Sequence, residues 1–194
     1  SLGANAIYDF LKNKIRKNFH FLSNLQKRKF STKKNYLNLI ISKSGNTLET
    51  IVNSNIYISK KDQNIIITEN KSSYLKDIAL KLKSEIIEHN NFIGGRYSVL
   101  SEVGMLPAEL MGLDSMKFKK FNDLVANKKF LNSIMINVSN ILELVKRKKF
   151  NSVILNYDET ADNFFKWYQQ LVAESLGKKG NGIFPIVSSM PKDN

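Results

Sequence analysis

Short apolar runs alternate along the chain with stretches whose apolar residues recur at helical spacing. Leu2 to Ile15, with Ala6, Ile7, Phe10, Leu11 and Ile15 on one stripe, predicts an amphipathic helix. Tyr36-Leu37-Asn38-Leu39-Ile40-Ile41 is short, β-branched and apolar, the pattern of a buried parallel strand. It opens into Ser42-Lys43-Ser44-Gly45-Asn46, and a helical pattern starts at Thr47. Asn64 to Thr68 predicts a second strand, Ser73 to Leu82 a helix and Ser84 to Glu88 a third strand. After Gly94-Gly95 a helix is expected over Ser98 to Met111, and Met116 to Lys148 reads as mostly helical. Ser152 to Leu155 starts a new strand, a helix follows from Asp162 to Leu176, and Gly182 to Val187 opens a last strand. This alternation predicts an α/β fold, a parallel sheet with right-handed crossovers and helices on both faces.

No low-complexity linker divides the chain. The expected boundary falls at Lys146–Asn151, giving a first domain over residues 1–148 with its following helices and the beginning of a second over 149–194. That second part is short for an α/β domain, so the chain is expected to stop inside it. The start, Ser1-Leu2-Gly3-Ala4, has no initiator methionine, basic n-region or apolar leader, and no apolar run approaches the roughly 18–20 residues that span a bilayer.

Composition narrows the chemistry. A hydrophobic share of 42% with 10% aromatics supports a sizeable core. The absence of cysteine excludes disulfides and thiolate metal sites, and suits a cytoplasmic protein. With only the two histidines His20 and His89, no transition-metal site is expected, and no cofactor is implied. His20 lies in a possible strand and His89 ends another, so both are read as structural. The formal net charge of +13 admits nucleic-acid binding or merely basic solvated faces. Lys27-Arg28-Lys29 and Lys146-Arg147-Lys148-Lys149 end amphipathic stretches, where the helix dipole favours cations, so no nucleic-acid or membrane partner is expected. The positive potential still attracts an anionic substrate.

Ser42-Lys43-Ser44-Gly45-Asn46-Thr47-Leu48-Glu49-Thr50 joins a strand to a helix through a hydroxyl-rich glycine turn, with Glu49 placed to help cap the helix. Backbone N–H groups at a helix N-terminus form an anion site, and Ser42, Ser44 and Thr47 add hydroxyls beside Gly45. The same composition also makes an ordinary capped turn. It lacks the Gly-Lys-Ser/Thr ending of a nucleotide-binding loop, and Lys43 precedes the glycine, which favours a smaller phosphoester over a nucleotide. Glu174 follows Gln170 by four positions on one helix face, an arrangement that by itself is usually a solvated surface.

Three blocks carry a resemblance. Ser42 to Thr50 resembles the phosphate loop of sugar-isomerase (SIS) domains. Ile93-Gly94-Gly95-Arg96-Tyr97-Ser98-Val99-Leu100-Ser101 resembles the more restrictive signature of the phosphoglucose isomerase family. Gln170-Leu171-Val172-Ala173-Glu174-Ser175-Leu176-Gly177-Lys178 resembles that family's third block, and the blocks stand in the family's order.

The resemblance implies a three-layer SIS-type sandwich followed by the start of a second SIS domain. It also implies aldose–ketose isomerisation of a hexose 6-phosphate, glucose 6-phosphate to fructose 6-phosphate, through an enediolate. Glu174 falls where the family's general base falls, and Arg96 matches the arginine that stabilises the enediolate. Ser42, Lys43, Ser44, Thr47, Gly95 and Gln170 are the implied substrate- and phosphate-binding residues.

Two positions depart from the family pattern: Glu102 stands where a small residue is usual, and Leu176 where many members have asparagine. Ser1-Leu2-Gly3 resembles the tail of a family Gly-Ile-Gly-Gly-Ser loop, and Met190–Asn194 the approach to a histidine that assists ring opening. That histidine and a later lysine are not in the sequence, so the 194 residues alone are expected to have weak or no activity on cyclic substrate. The family histidine reaches across from a partner subunit, which implies a homodimer for the complete enzyme. A non-catalytic SIS module binding a sugar phosphate, and a dual phosphoglucose/phosphomannose isomerase, remain alternatives.

Overall fold

The structure, a computed structural model, describes residues 2–25 and 36–189. They divide into two compact units, residues 17–107 and residues 2–16 together with 108 onward.

In the first unit β1 (Leu37–Ile41), β2 (Gln63–Glu69) and β3 (Glu85–His89) form a parallel sheet in the order β1-β2-β3. Ile40 stands in register with Ile66, and Ile66 with Ile86. The central strand is buried on both faces, with Ile66 and Ile67 at 0% exposure, which is why it reads as a continuous apolar run. The crossovers are α2 (Leu48–Tyr57) and α3 (Tyr74–Leu82). Leu75 and Ala79 of α3 pack on Ile40 and Ile66, with Ile58 and Ile86 at the margin. Ser73 caps α3 by accepting from the Lys76 amide at 3.4 Å, and Lys83 ends it in the left-handed region at φ 53°.

The helix expected over Ser98 to Met111 is divided. A 3-10 turn covers Gly95–Leu100, and α4 runs Glu102–Leu110. Ser98 and Ser101 each donate a hydroxyl at 2.7 Å to the carbonyl three residues back, and Ser101 is extended, so the helical ladder restarts after it.

In the second unit α1 covers Leu2–Phe10, with a separate 3-10 turn at Lys12–Lys14 where a single helix to Ile15 was expected. The stretch expected to be mostly helical resolves into α5 (Ser115–Phe118), α6 (Phe121–Ala126) and α7 (Lys128–Lys146). A side chain caps its start and another makes the break before α7, while α6 starts after Lys120 without a side-chain cap. Asp114 accepts from the Met116 amide at 3.0 Å, and Asn127 accepts from that of Phe130 at 3.2 Å. Strands β4 (Asn151–Asn156) and β5 (Phe184–Ser189) pair in parallel around the crossover helix α8 (Asp162–Leu176). Phe10 of α1 meets Phe164 of α8 at 6.0 Å between ring centroids, and Asn163 donates to Asp9. Asn156, 3% exposed, donates to Asp162 Oδ1 at 2.7 Å and ties β4 to the head of α8.

Cover on both faces holds for β2 but not for β4, where Val153 and Leu155 are each 55% exposed. One crossover helix can cover only one face of a two-stranded sheet. The strand expected near His20 is absent, because residues 15–25 hold no regular element. Lys146 closes α7 and Arg147 caps it, so that basic run does stand at a helix C-terminus. Ser1, the Lys27–Lys29 run and Met190–Asn194 lie outside the described residues. Among the described residues no helix is long and apolar enough to cross a membrane.

Candidate functional site

The loop after β1 is built by hydrogen bonds that leave the head of α2 open. The Ser42 amide extends the sheet by donating to the Ile67 carbonyl at 3.1 Å, and the Gly45 amide closes a tight turn onto the Ser42 carbonyl at 3.2 Å. Ser42, 6% exposed, shares a hydroxyl–hydroxyl bond of 2.8 Å with Thr47. The Thr47 hydroxyl therefore makes no capping bond, although Thr47 is the N-cap of α2. Glu49 is the second residue of α2, one short of the third position a capping box needs, so it only complements the dipole. Gly45 sits at φ +67° with a Cβ position 2.2 Å from Ser73 Oγ. The loop carbonyl of Gly45 also receives the Leu75 amide at 3.1 Å. Ser44 and Thr47 are exposed beside the uncapped helix end, where amides and dipole favour an anion.

Lys43 points away from that helix end. Its Nζ donates to the carbonyls of Asn91 at 3.0 Å and Ile93 at 2.8 Å, and pairs with Glu69 at 3.2 Å. It thus straps the loop to the turn that carries Gly94, Gly95 and Arg96. Glu69, 7% exposed, also pairs with Lys71 at 3.0 Å. The Lys71 hydrogen bond, with Lys43 adding to it against the opposing effect of burial, holds the Glu69 carboxyl below the usual glutamate range. Within the turn, the Tyr97 amide donates to Gly94 O at 2.9 Å and the Arg96 guanidinium lies 5.8 Å from the Tyr97 ring centroid. A side chain added at Gly95 would meet nothing within 4 Å, so the Arg96 turn faces open space there.

The phosphoglucose isomerase family model matches residues 1–183 of the chain. The chain belongs to that family. Among its relatives, glucose-6-phosphate isomerase of Methanocaldococcus jannaschii is 35% identical across 99% of the chain, and that of Acholeplasma laidlawii 32% identical across 99%. A solved structure of a hypothetical protein from Thermus thermophilus superposes with a TM-score of 0.79 at 25% identity over 100% of the chain. The chain spans about half the length of these proteins, 52%, 51% and 52% in that order.

Of the residues that resemble the phosphoglucose isomerase pattern, the first unit gathers Ser42, Lys43, Ser44, Thr47, Gly95 and Arg96 around one loop and one turn joined by Lys43. Gln170 and Glu174 stand on α8 in the second unit, where Gln170 Nε2 donates to Glu174 Oε1 at 3.0 Å and Glu174 is exposed. The neighbouring Gln169 donates to the Pro185 carbonyl at 2.8 Å, anchoring α8 on β5. Among the described residues no cluster of three or more histidines or carboxylates is arranged to hold a metal. Sequence reasoning missed Glu69 and the pairing of His89 with Glu102. Neither belongs to a recognised block; the one signal was Glu102 itself, a charge where the family pattern is small.

Proposed function

We propose that the chain is part of an aldose–ketose isomerase interconverting glucose 6-phosphate and fructose 6-phosphate, in glycolysis and gluconeogenesis. Glu174 is the base that carries a proton between carbons 1 and 2, the 170–174 hydrogen bond orienting it. Arg96, permanently charged, stabilises the enediolate oxygen without exchanging its own proton. The phosphate sits at the head of α2 against Ser44 and Thr47, with Ser42 holding Thr47 in place. Lys43 contributes positive potential while it straps the loop, and the space at Gly95 admits the sugar. The observation that carries this reading is the Lys43 bond to the Ile93 carbonyl, which joins a phosphate-type loop to the Gly-Gly-Arg turn within one unit. The separate sheets β1–β3 and β4–β5 support two SIS-type parts of the chain, a first expected over 1–148 and the start of a second from 149, although residues 2–16 and 108–148 fall in the compact unit of the second sheet. We further infer a cytoplasmic homodimer with no cofactor.

Nuclear magnetic resonance titration of the 194-residue chain tests the binding half of this reading. Inorganic phosphate is expected to shift the amides of Ser44 to Thr50, and fructose 6-phosphate to shift these and Gly95–Arg96. Shifts that avoid both segments at saturating fructose 6-phosphate would overturn it.

A further inference from the structure

His89 is 1% exposed at the end of β3, and both of its ring nitrogens meet oxygen. Nδ1 is bonded to the Glu102 carboxylate, and Nε2 lies 3.1 Å from the Ile93 carbonyl. A carbonyl oxygen can only accept, so Nε2 carries a proton. Glu102 opens α4 and meets Nδ1, so the ring is held on one side by a carboxyl group and on the other holds the Ile93 carbonyl.

The position of this pair matters more than its burial. His89 and Glu102 are 13 positions apart and bracket the whole segment that contains Gly94, Gly95 and Arg96. Their contact closes that segment at its base. The Ile93 carbonyl, inside the closed segment, takes one bond from His89 and another from Lys43 of the phosphate-type loop. A buried ion pair seldom stabilises a fold more than apolar side chains of similar volume would. An apolar side chain at position 89 could fill the space, but it could not hold a carbonyl. The other charges around the ring are Lys43, which shares the Ile93 carbonyl, and Glu69, which is the β2 register partner of His89 and is neutralised by Lys43 and Lys71.

We propose that His89 and Glu102 are a positioning pair for Arg96: His89, held by Glu102, fixes the Ile93 carbonyl and with it the Gly94-Gly95-Arg96 turn. The catalytic meaning of that placement rests on the isomerase reading, but the arrangement itself does not, and its test needs no sugar phosphate.

Imidazole nitrogen resonances of the 15N-labelled chain report the ring directly, with His89 Nε2, which faces the Ile93 carbonyl, expected to carry a proton. Glu102→Gln keeps a hydrogen-bonding partner for Nδ1 and is expected to leave the Ile93 and Tyr97 amides exchanging near the parent rate. The double variant His89→Ile/Glu102→Ala removes both partners together and is expected to melt within a few degrees of the parent. Its Ile93 and Tyr97 amides should nevertheless exchange about tenfold faster or more, as loss of the bond that holds the Ile93 carbonyl predicts. An Nε2 that carries no proton in the parent overturns the proposal. So do parent-like exchange rates in the double variant, which would leave the pair a structural filler only. A failure of fructose 6-phosphate to bind would count against the isomerase reading and leave both of these measurements standing.

Discussion

Gly45 is under two constraints at once, a left-handed backbone and a Cβ position already occupied by Ser73 and Thr68. Gly45→Ala should destabilise the first unit by roughly 2 kcal/mol or more, read from its urea midpoint. A loss within about 0.5 kcal/mol, as at an unconstrained surface site, would mean that the turn is not built this way. Glu69 and Glu109 make a second prediction. Lys71 and then Lys43 lower the first, and hydrogen bonds from the Ser115 side chain and amide lower the second. A carboxyl held low in the folded state gives stability that is present above its ordinary value of 4.5 and is lost as pH falls through the folded value. The melting temperature should therefore drop on acidification below that point. Glu69→Gln should lower it at pH 7 and make progressively less difference towards pH 3; an equal deficit at both pH values would contradict the assignment. The Ser42–Thr50 turn was legible in the sequence because its closing bonds, Gly45 amide to Ser42 and Ser42 to Thr47 hydroxyl, span a few positions. Glu69, His89 and Glu102 were not, because what they hold lies across strands and turns. Lys43 was legible as part of the loop and not as its strap, since its carbonyl partners are 48 and 50 positions away.

The strands of the first unit were legible to within about a residue because buried β-branched runs have few alternatives. Helix limits were less so. A periodic pattern shows where a helix can run, while Asp114, Ser101 and Asn127 decide where it breaks, by hydrogen bonds that periodicity does not encode. Burial was the least legible property. Leu131, Ile134, Val138 and Ile141 line α7 at spacings of three and four residues, as a core-facing helix would, yet all four are at least 39% exposed. Ile134→Gln should accordingly change the urea midpoint by no more than about 0.5 kcal/mol, against about 2–5 kcal/mol for Ile66→Ala in β2. Comparable losses for the two would show that the α7 face is covered in solution.

For the molecule as a whole, the fold class could be read from the alternation of strand and helix patterns, and the family from three short blocks that each join local backbone geometry to a particular chemistry. The net charge of +13 carried no such information. The isomerase reading turns on the role proposed for Glu174, which as an exposed helical residue would otherwise be an ordinary solvated side chain. The most direct test is Glu174→Gln in an isomerase of the family's full length that contains these 194 residues, assayed for conversion of fructose 6-phosphate to glucose 6-phosphate. A general base at this position predicts a fall in kcat of about 10²–10⁴ with KM little changed. A fall of less than about tenfold would contradict the assignment of Glu174 as the base.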